Sequence, residues 1–547
     1  MAFFVYLCET FLKLMKKQLF LTLFFAFINY GLYSQQREYW LILKDKCFNY
    51  TELNLTTLLS PQALAKRASL GIPLDETDLP VCQDYINKIT QKGYSIISSS
   101  KWLNAIVIQT DKTPQQISQQ FDFVKDIIPC RKLSYTSINS QHKQNEHFNY
   151  GYAQKQLEQL GIDSLHRWGF TGKNVRIAVL DAGFPKVDVL TAFDSLRLQN
   201  RLIDYFDFVE TNNAVFDDSE HGTNVLSLIG SNRDAYHIGA APHAHFLLAR
   251  TENTNGERRI EEYNWLRGAE WAESLGVDII TTSLGYSDFD GTEEDYTYSQ
   301  MDGRTTIVAK AANIAANKGI LVVSSAGNEG EFAWQKIVSP CDAESVLCVG
   351  AVNSDSTIAD YSSRGPSGDG RIKPNVVALG TFNPVITTSD IVSVGGRGTS
   401  FACPLIAGLA ACLKQAFPFA TNMQIFKCIE KSGDKYSNPD TLYGNGLPNG
   451  IRAYNCLANE PINPPSLAFK IYPQPTTNSI TWEVSSPDFS TYNIIVYDVL
   501  GKLMLQQNNL STNFKYHLNP EMWGSGLYIM KCYSNTFDFV KKFTLSK

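Results

Sequence analysis

Four polar residues along the chain have the types and the neighbours that a catalytic centre needs. Asp181 ends an apolar run that begins at Val175, and His221 is followed directly by a glycine and a threonine. Asn328 lies in a glycine-rich loop, and Ser400 lies where a second glycine-rich loop meets an apolar stretch. Each alone has an ordinary structural explanation, such as a capped turn or a core histidine. Together they supply a nucleophile, a base, an orienting acid and an amide donor.

The segment around Ser400 has further features of a nucleophile loop. Gly396 and Gly398 allow a second backbone to approach closely. The helix expected over Leu405–Leu413, with Pro404 in its first turn, would offer free N–H groups to an anion. Because a serine hydroxyl is a poor nucleophile at neutral pH, it needs a neighbouring base that takes its proton.

The elements that must position these residues alternate between strands and helices from about residue 150 to residue 458. Nearly continuous apolar runs occur at Val175–Leu180, Val277–Ser283, Ile320–Ser325 and Ser345–Val352. Runs of this kind suit parallel strands that are buried on both faces. Helical stretches lie between them, such as Glu261–Leu275 and Thr306–Lys318. The sequence therefore predicts an α/β fold with a doubly wound parallel sheet over residues 150–458.

The four segments follow one another in the order Asp, His, Asn, Ser, and residues 150–458 resemble a subtilase catalytic domain. Further matching stretches are Gly239–Ala244, Ser283–Gly285, Tyr361–Pro366 and Lys373–Ala378. The resemblance implies a serine endopeptidase with Asp181, His221 and Ser400 as its triad and Asn328 as an oxyanion donor. The substrate-binding edge would consist of Ser283, Leu284 and Gly285.

Several positions depart from the commonest pattern of the family. They are Ala182, Asn224, Asn375, Leu379, Cys403 and Leu405. None of them is a triad residue, so the departures leave substrate specificity open and the expected chemistry unchanged. No cofactor is required for that chemistry and no catalytic metal is expected.

The N-terminal region indicates export followed by maturation. Lys16 and Lys17 precede the apolar run Leu19–Ile28, so residues 1–34 are predicted to be a signal peptide, with a membrane anchor as the alternative. Translation could also begin at Met15. Residues 38–149 are predicted to form a small α+β unit followed by a polar linker, and they resemble the propeptide of secreted subtilases, which assists folding and inhibits the protease.

The C-terminal region begins with a proline-rich linker at residues 459–466. Residues 467–547 alternate short β-rich runs with turns, which predicts an all-β sandwich. This region resembles the sorting domain of type IX secretion cargo, in the stretches Ile471–Pro475, Val496–Lys502, Gly526–Tyr528 and Lys541–Phe543. The resemblance implies a secreted or cell-surface protein that passes through the periplasm and meets the outer-membrane secretion machinery. A carbohydrate-binding sandwich, or one that packs on the protease, is the alternative.

The composition bears on the possible partners, disulfide bonds and metal ions of the protein. The net charge of −6 and the lack of long basic runs argue against a nucleic-acid partner. The resemblance to subtilases implies polypeptide substrates, and we expect a monomer. Of eleven cysteines, Cys341 and Cys348 are close in sequence and could pair after export, with two buried thiols as the alternative. A structural calcium ion could bind the acidic run of Asp288, Asp290, Glu293, Glu294 and Asp295, although such runs also form solvated loops.

Two other functions are compatible with the same fold. A pseudoprotease that acts as a surface adhesin would normally have lost a triad residue, and here none is missing. A peptidase dedicated to processing one partner protein would keep the triad, and the sequence alone does not distinguish it from a broadly digestive enzyme.

Overall fold

A computed structural model gives the structure of the protein. It describes residues 37–47, 58–130, 148–254, 256–290, 295–460, 468–473, 476, 479–485, 491–498, 502–512, 514–520, 523–533 and 538–546. The predicted signal peptide, most of the polar and proline-rich linkers, and Glu293 and Glu294 lie outside the described residues. The chain forms two compact units, one of residues 1–48 and 80–131 and the other of residues 49–79 and 132–547.

The first unit is an α+β sandwich, as predicted. The elements from residue 37 to residue 130 are β1 (Arg37–Leu43), α1 (Pro61–Leu70), α2 (Gln83–Gln91), β2 (Ser95–Ser100), β3 (Ala105–Thr110), α3 (Pro114–Ser118) and β4 (Val124–Cys130). The antiparallel sheet has the order β2-β3-β1-β4. Ile89 of α2 and Ile117 of α3 are buried with Leu41 and Ile106 of the sheet. Helix α1 belongs instead to the second unit.

The catalytic region contains α4 (Gln154–Gln159), α5 (Ile162–Arg167), β5 (Arg176–Asp181), α6 (Asp194–Leu198), β6 (Leu202–Asp207), α7 (His221–Gly230), β7 (Asn232–Arg233), β8 (His237–Ile238), β9 (His245–Arg250), α8 (Arg259–Ser274), β10 (Ile279–Thr282), α9 (Ile307–Asn317), β11 (Leu321–Ser325), β12 (Val346–Val352), β13 (Val376–Leu379), β14 (Thr381–Ile386), β15 (Val392–Arg397), α10 (Thr399–Ala416), α11 (Asn422–Lys431) and α12 (Gly450–Asn459). Single 3₁₀ turns occur at residues 76–78, 191–193 and 298–300.

The central sheet is parallel throughout and has the order β13-β12-β11-β10-β5-β9-β6. Ile177 and Val179 of β5 join the core that α7 and α10 share. Leu180 points to the opposite face, where a Cβ atom at Gly268 of α8 would lie 3.4 Å from its side chain. Helices therefore cover both faces, and the prediction of a doubly wound sheet is confirmed.

The C-terminal region is the predicted all-β sandwich. Its strands are β16 (Ala468–Tyr472), β17 (Ile480–Ser485), β18 (Thr491–Asp498), β19 (Leu503–Ser511), β20 (Lys515–Leu518), β21 (Gly526–Tyr533) and β22 (Asp538–Leu545). They form two antiparallel sheets, β16-β17-β20 and β19-β18-β21-β22. Trp482 and Ile494, one from each sheet, share a single buried core, against which Phe419 of the catalytic region packs.

Disulfide bonds link three pairs of cysteines among the described residues. The Cys341–Cys348 bond confirms the predicted pair. Cys47–Cys82 lies in the first unit, and Cys428–Cys456 joins α11 to α12. The buried thiols of the described region are Cys403, Cys412 and Cys532.

Candidate active site

Three neighbouring strands deliver candidate residues to one edge of the sheet. Asp181 is the last residue of β5, Ser283 follows β10, and Asn328 comes three residues after β11. These strands are adjacent in the order β11-β10-β5 and all run in parallel. Because parallel strands end at a common edge, residues far apart in sequence meet there, which is where open α/β sheets form their sites.

Asp181 and His221 form a hydrogen-bonded pair. Asp181 is fully buried, and its Oδ1 lies 2.7 Å from Nδ1 of His221 and 2.8 Å from the backbone nitrogen of Ala182, which donates to it. His221 is the first residue of α7, and its side chain keeps 31% of its surface exposed. The arrangement fixes one ring nitrogen against the acid and leaves the other nitrogen available for proton transfer.

A glycine next to the histidine makes this pair possible. A Cβ atom at Gly222 would lie 2.3 Å from the carbonyl oxygen of Gly183 and 3.0 Å from Cβ of Asp181. Such contacts are too short for any side chain, so α7 can start against the end of β5 only because residue 222 is glycine. The signal in the sequence was the glycine directly after the histidine, and its role as a spacer was not predicted.

The electrostatic environment raises the pKa of His221 above its ordinary value. Burial of the ring lowers this pKa, but the negative charge of Asp181 and its hydrogen bond to the ring outweigh that effect. An acid that favours the charged imidazolium is what a base needs when it takes up a proton in the transition state.

The candidate nucleophile lies in the first turn of α10. That helix begins at Thr399, so the prediction that it begins near Leu405 is wrong, and Pro404 falls in the second turn. Because proline has no N–H, it cannot donate to the carbonyl oxygen of Ser400 four residues earlier. Oγ of Ser283 donates to that oxygen instead, at 2.8 Å. A polar side chain from the predicted substrate-binding edge thus replaces the hydrogen bond that the helix lacks at the candidate nucleophile.

The Ser400 hydroxyl is hydrogen-bonded to the end of β10, and the residue after it lies near the histidine. Oγ of Ser400 donates to the carbonyl oxygen of Ser283 at 3.2 Å, and Ser400 is 8% exposed. The ring of the next residue, Phe401, has its centroid 5.9 Å from that of His221. The first turn of α10 therefore lies beside the Asp181–His221 pair.

Asn328 is oriented by the residue that precedes the serine. Its Oδ1 accepts hydrogen bonds from the backbone nitrogen of Thr399 at 2.9 Å and from its Oγ1 at 3.2 Å. Because these bonds use the carbonyl oxygen, the N–H groups on Nδ2 of Asn328 can still donate. A Cβ atom at Gly398 would lie 3.6 Å from that nitrogen. The sequence does not predict this role of Thr399. The one signal for it in the sequence is a hydroxyl residue directly before the serine.

The predicted substrate-binding residues lie at the end of β10. Ser283 is buried, Leu284 is half-buried and Gly285 is exposed. A Cβ atom at Gly285 would lie 2.1 Å from Cγ2 of Val338, so any larger residue here would require the Val338 side chain to move.

Among the residues that the structure describes, Asp288, Asp290 and Asp295 do not converge on one point, and Glu293 and Glu294 lie outside the described residues, so the possible calcium site there is not confirmed. Asp288 accepts from Ser287, and Asp295 accepts from the backbone nitrogen of Phe289 at 2.8 Å, so both serve their own loop. The carboxylates that do converge, within 4.8 Å of one another, are those of Glu252, Glu257 and Glu261. Burial of the side chain, with a smaller contribution from the charge of Asp290, raises the pKa of Glu261 to about 7.

Comparisons with known proteins give the family of this chain. Residues 172–446 match the family described as Subtilase family, Peptidase S8. Residues 38–147 match the Peptidase S8 propeptide domain of Bacteroidota, and residues 470–546 match the Secretion system C-terminal sorting domain. The fold and these matches define a serine peptidase.

Two curated relatives also support the family. The chain is 30% identical over 311 residues to Serine protease AprX of Bacillus subtilis, a match that covers 51% of this chain and 66% of AprX. It is 31% identical over 300 residues to Subtilisin of Bacillus pumilus, which covers 54% of this chain and 95% of that subtilisin. A solved structure of MycP1 without its propeptide matches with a TM-score of 0.44 and 23% identity, over 57% of this chain and 98% of MycP1. The chain belongs to the subtilase family, and it is a secreted subtilisin-like protease with a propeptide and a C-terminal sorting domain.

Proposed function

We propose that the protein hydrolyses peptide bonds through an acyl-enzyme formed on Ser400, with His221 as the base and Asp181 as the residue that orients it. The observation that carries this proposal is the 2.7 Å contact between Asp181 and His221 beside the first turn of α10. Oγ of Ser400 attacks the substrate carbonyl carbon while His221 takes the hydroxyl proton. The histidine then gives that proton to the leaving amine. In the second half of the reaction, water attacks the acyl-enzyme while His221 takes its proton, and the acid product leaves as Ser400 regains its hydroxyl proton.

The negative oxygen of the tetrahedral intermediate needs donors that are already in place. The backbone N–H of Ser400 is in the first turn of α10, where amide groups have no partner within the helix. The Asn328 amide, held by Thr399, is the second donor. Donors that do not have to reorient during the reaction stabilise the transition state more than the ground state.

The substrate is a polypeptide in an extended conformation. The strand end at Ser283–Gly285 lies next to the nucleophile, because Ser283 and Ser400 exchange hydrogen bonds. A backbone edge at this position can pair with a peptide as an added strand, which recognises main chain rather than a particular side chain. Neither a cofactor nor a second subunit is needed for these steps, and we propose a monomer.

Peptide cleavage tests this function directly. The purified protein should cleave members of a peptide library, and its Ser400→Ala variant should not. A protein that binds cell surfaces as an adhesin, with no activity of its own, would leave the library intact in both cases.

The pH dependence should follow the titration of His221. Only the neutral imidazole can accept the serine proton, so kcat/KM should fall as the pH drops through the pKa of His221. Because Asp181 raises that pKa, the midpoint should lie above the ordinary histidine value of about 6.5. The measurement is kcat/KM for one peptide at constant ionic strength. A profile that stays flat from about pH 5 to about pH 8 would exclude His221 as the base.

Removal of the C-terminal sandwich should separate export from catalysis. None of the candidate catalytic residues lies in residues 467–547, so the truncated protein should keep its peptidase activity. In a host with the type IX system it should accumulate in the periplasm, because its outer-membrane sorting signal is missing. Cell fractionation and assays of the purified truncation measure the two effects.

The truncation also exposes Phe419, which packs against the sandwich core. A truncation that carries Phe419→Ser controls for aggregation caused by this new apolar surface. Normal appearance of the truncated protein in the medium would contradict the sorting role, and loss of activity in both truncations would assign the sandwich a structural role.

A further inference from the structure

The candidate nucleophile lies beside a gap between the ends of two adjacent strands. One wall of this gap is Ser283–Gly285 at the end of β10, and the other is Ala326–Asn328 after β11. In the proposed reaction the substrate main chain lies along the first wall, and the carbonyl group under attack lies between the N–H of Ser400 and the amide of Asn328. The side chain of the substrate residue that supplies this carbonyl then enters the gap, which we call the acyl-side pocket.

Each wall of the acyl-side pocket carries a glycine against which the same valine packs. A Cβ atom at Gly285 would lie 2.1 Å from Cγ2 of Val338, and a Cβ atom at Gly327 would lie 2.9 Å from the same methyl group. The directions in which side chains would leave the two walls thus lead to one point. Val338 is only 4% exposed, and its side chain occupies the volume between the two glycines.

Backbone hydrogen bonds hold Val338 to both walls. Its N–H donates to the carbonyl oxygen of Ala326 at 3.1 Å, on the side of β11. The next residue, Ser339, donates to the carbonyl oxygen of Tyr286 at 3.2 Å and accepts from the N–H of Tyr286 at 2.9 Å, on the side of β10. The valine therefore bridges the two strand ends.

The chain on either side of Val338 is anchored in the core. Ile337, which precedes it, is fully buried together with Ala326 and with both cysteines of the Cys341–Cys348 bond. That bond ties the segment after Val338 to β12. Because the backbone is fixed on both sides, a large substrate side chain could enter only by overpacking the pocket against the valine, which is costly in a well-packed region.

We propose that Val338 restricts the substrate residue on the acyl side of the cleaved bond to a small side chain, namely Gly, Ala or Ser. The proposal rests on the proposed function, because it assigns a specificity to the same site. The methyl groups of Val338 occupy the volume that a Phe, Leu or Arg side chain of the substrate would need. The selectivity then comes from exclusion of large residues rather than from attraction of small ones.

Internally quenched peptides that differ only at this one residue test the proposal. The purified protein is assayed with Ala, Ser, Phe, Leu or Arg at the position, and mass spectrometry identifies the bond that is cut. A single methylene group in a hydrophobic pocket changes kcat/KM by about 10- to 200-fold. The value for the Ala peptide should therefore exceed that for the Phe peptide by about 100-fold or more.

Removal of the valine side chain should abolish this preference. Val338→Gly should raise kcat/KM for the Phe peptide by about 100-fold and change that for the Ala peptide by less than about tenfold. Val338→Ala keeps the Cβ atom, so it should give a smaller gain, with more effect on the Leu peptide than on the Phe peptide. Thermal unfolding shows whether each variant is folded, and the alanine variant decides the outcome if the glycine variant is not.

The matched control is Val376→Ala. Val376 is also a buried valine, but it lies in β13 at the edge of the central sheet, three strands away from β10. Its variant should leave the ratio of the two kcat/KM values unchanged, whatever its effect on thermal stability.

Efficient cleavage after Phe, Leu or Arg by the parent protein would overturn the proposal, as would an unchanged ratio in the folded Val338 variants. A parent protein that cleaves no peptide, as expected only for Ser400→Ala, would overturn the proposed function and the specificity with it. The two failures therefore give different results.

Discussion

Ser400→Ala should abolish peptide cleavage and leave the precursor uncut. Removal of the nucleophile from subtilisin itself, a relative of this protein, sets the expected loss in kcat at about 10⁶-fold. If the enzyme processes its own chain, the variant should accumulate at the size of the precursor without its leader, since the cut expected between Pro129 and Tyr150 requires the same serine. Mass spectrometry of protein from a protease-deficient host measures both the N-terminus and the length.

A conservative control distinguishes loss of the nucleophile from general damage. Ser299→Ala changes an exposed serine in the 298–300 turn and should leave both cleavage and processing unchanged. Normal processing of Ser400→Ala when it is expressed alone would show that another protease makes the cut. Peptide cleavage by the variant would contradict the assigned nucleophile.

Asp181→Asn should lower kcat by about 10⁴-fold while leaving KM much less affected. The Asn side chain can present an N–H group to Nδ1 of His221, which favours the wrong tautomer and leaves the other nitrogen protonated. The substitution also removes the charge that raises the pKa of His221. The residual activity should therefore show an acid limb at lower pH than the parent enzyme.

Kinetics on one peptide across a pH series give both quantities. Asp360→Asn, a change at an exposed position, is the control for loss of one negative charge. A variant with parent kcat, or one whose acid limb moves to higher pH, would contradict the role of Asp181.

The positions of several candidate site residues could be predicted because these residues lie at or just after the ends of strands. Asp181 and Asn328 follow apolar runs, and the carboxyl ends of parallel strands converge whatever their separation in sequence. The parallel sheet and the C-terminal sandwich are predictable because continuous apolar runs indicate strands buried on both faces and alternating apolar residues indicate strands buried on one face.

Features that depend on close approach of two distant segments could not be predicted. Pro404 favours a first turn, so the sequence pattern predicts the start of α10 too late. The hydrogen bond from Ser283 that replaces the missing N–H involves a residue more than a hundred positions away. The role of Gly222 depends on the position of Gly183 in space. The contacts of α1 with the ends of α8 and α9 join residues far apart in sequence, such as Ser60 with Ser274. The charged residues of α1 would suit a solvated helix equally well, so they do not predict these contacts.

The bond between Cys428 and Cys456 has a consequence for the route out of the cell. It joins two helices of the catalytic region that pack on the core, and it closes a covalent loop between residues 28 positions apart. Disulfides form in the periplasm, before the outer membrane is reached. A chain in which this bond has formed there cannot pass through a pore as a single extended strand, because the segments around Cys428 and Cys456 must pass side by side.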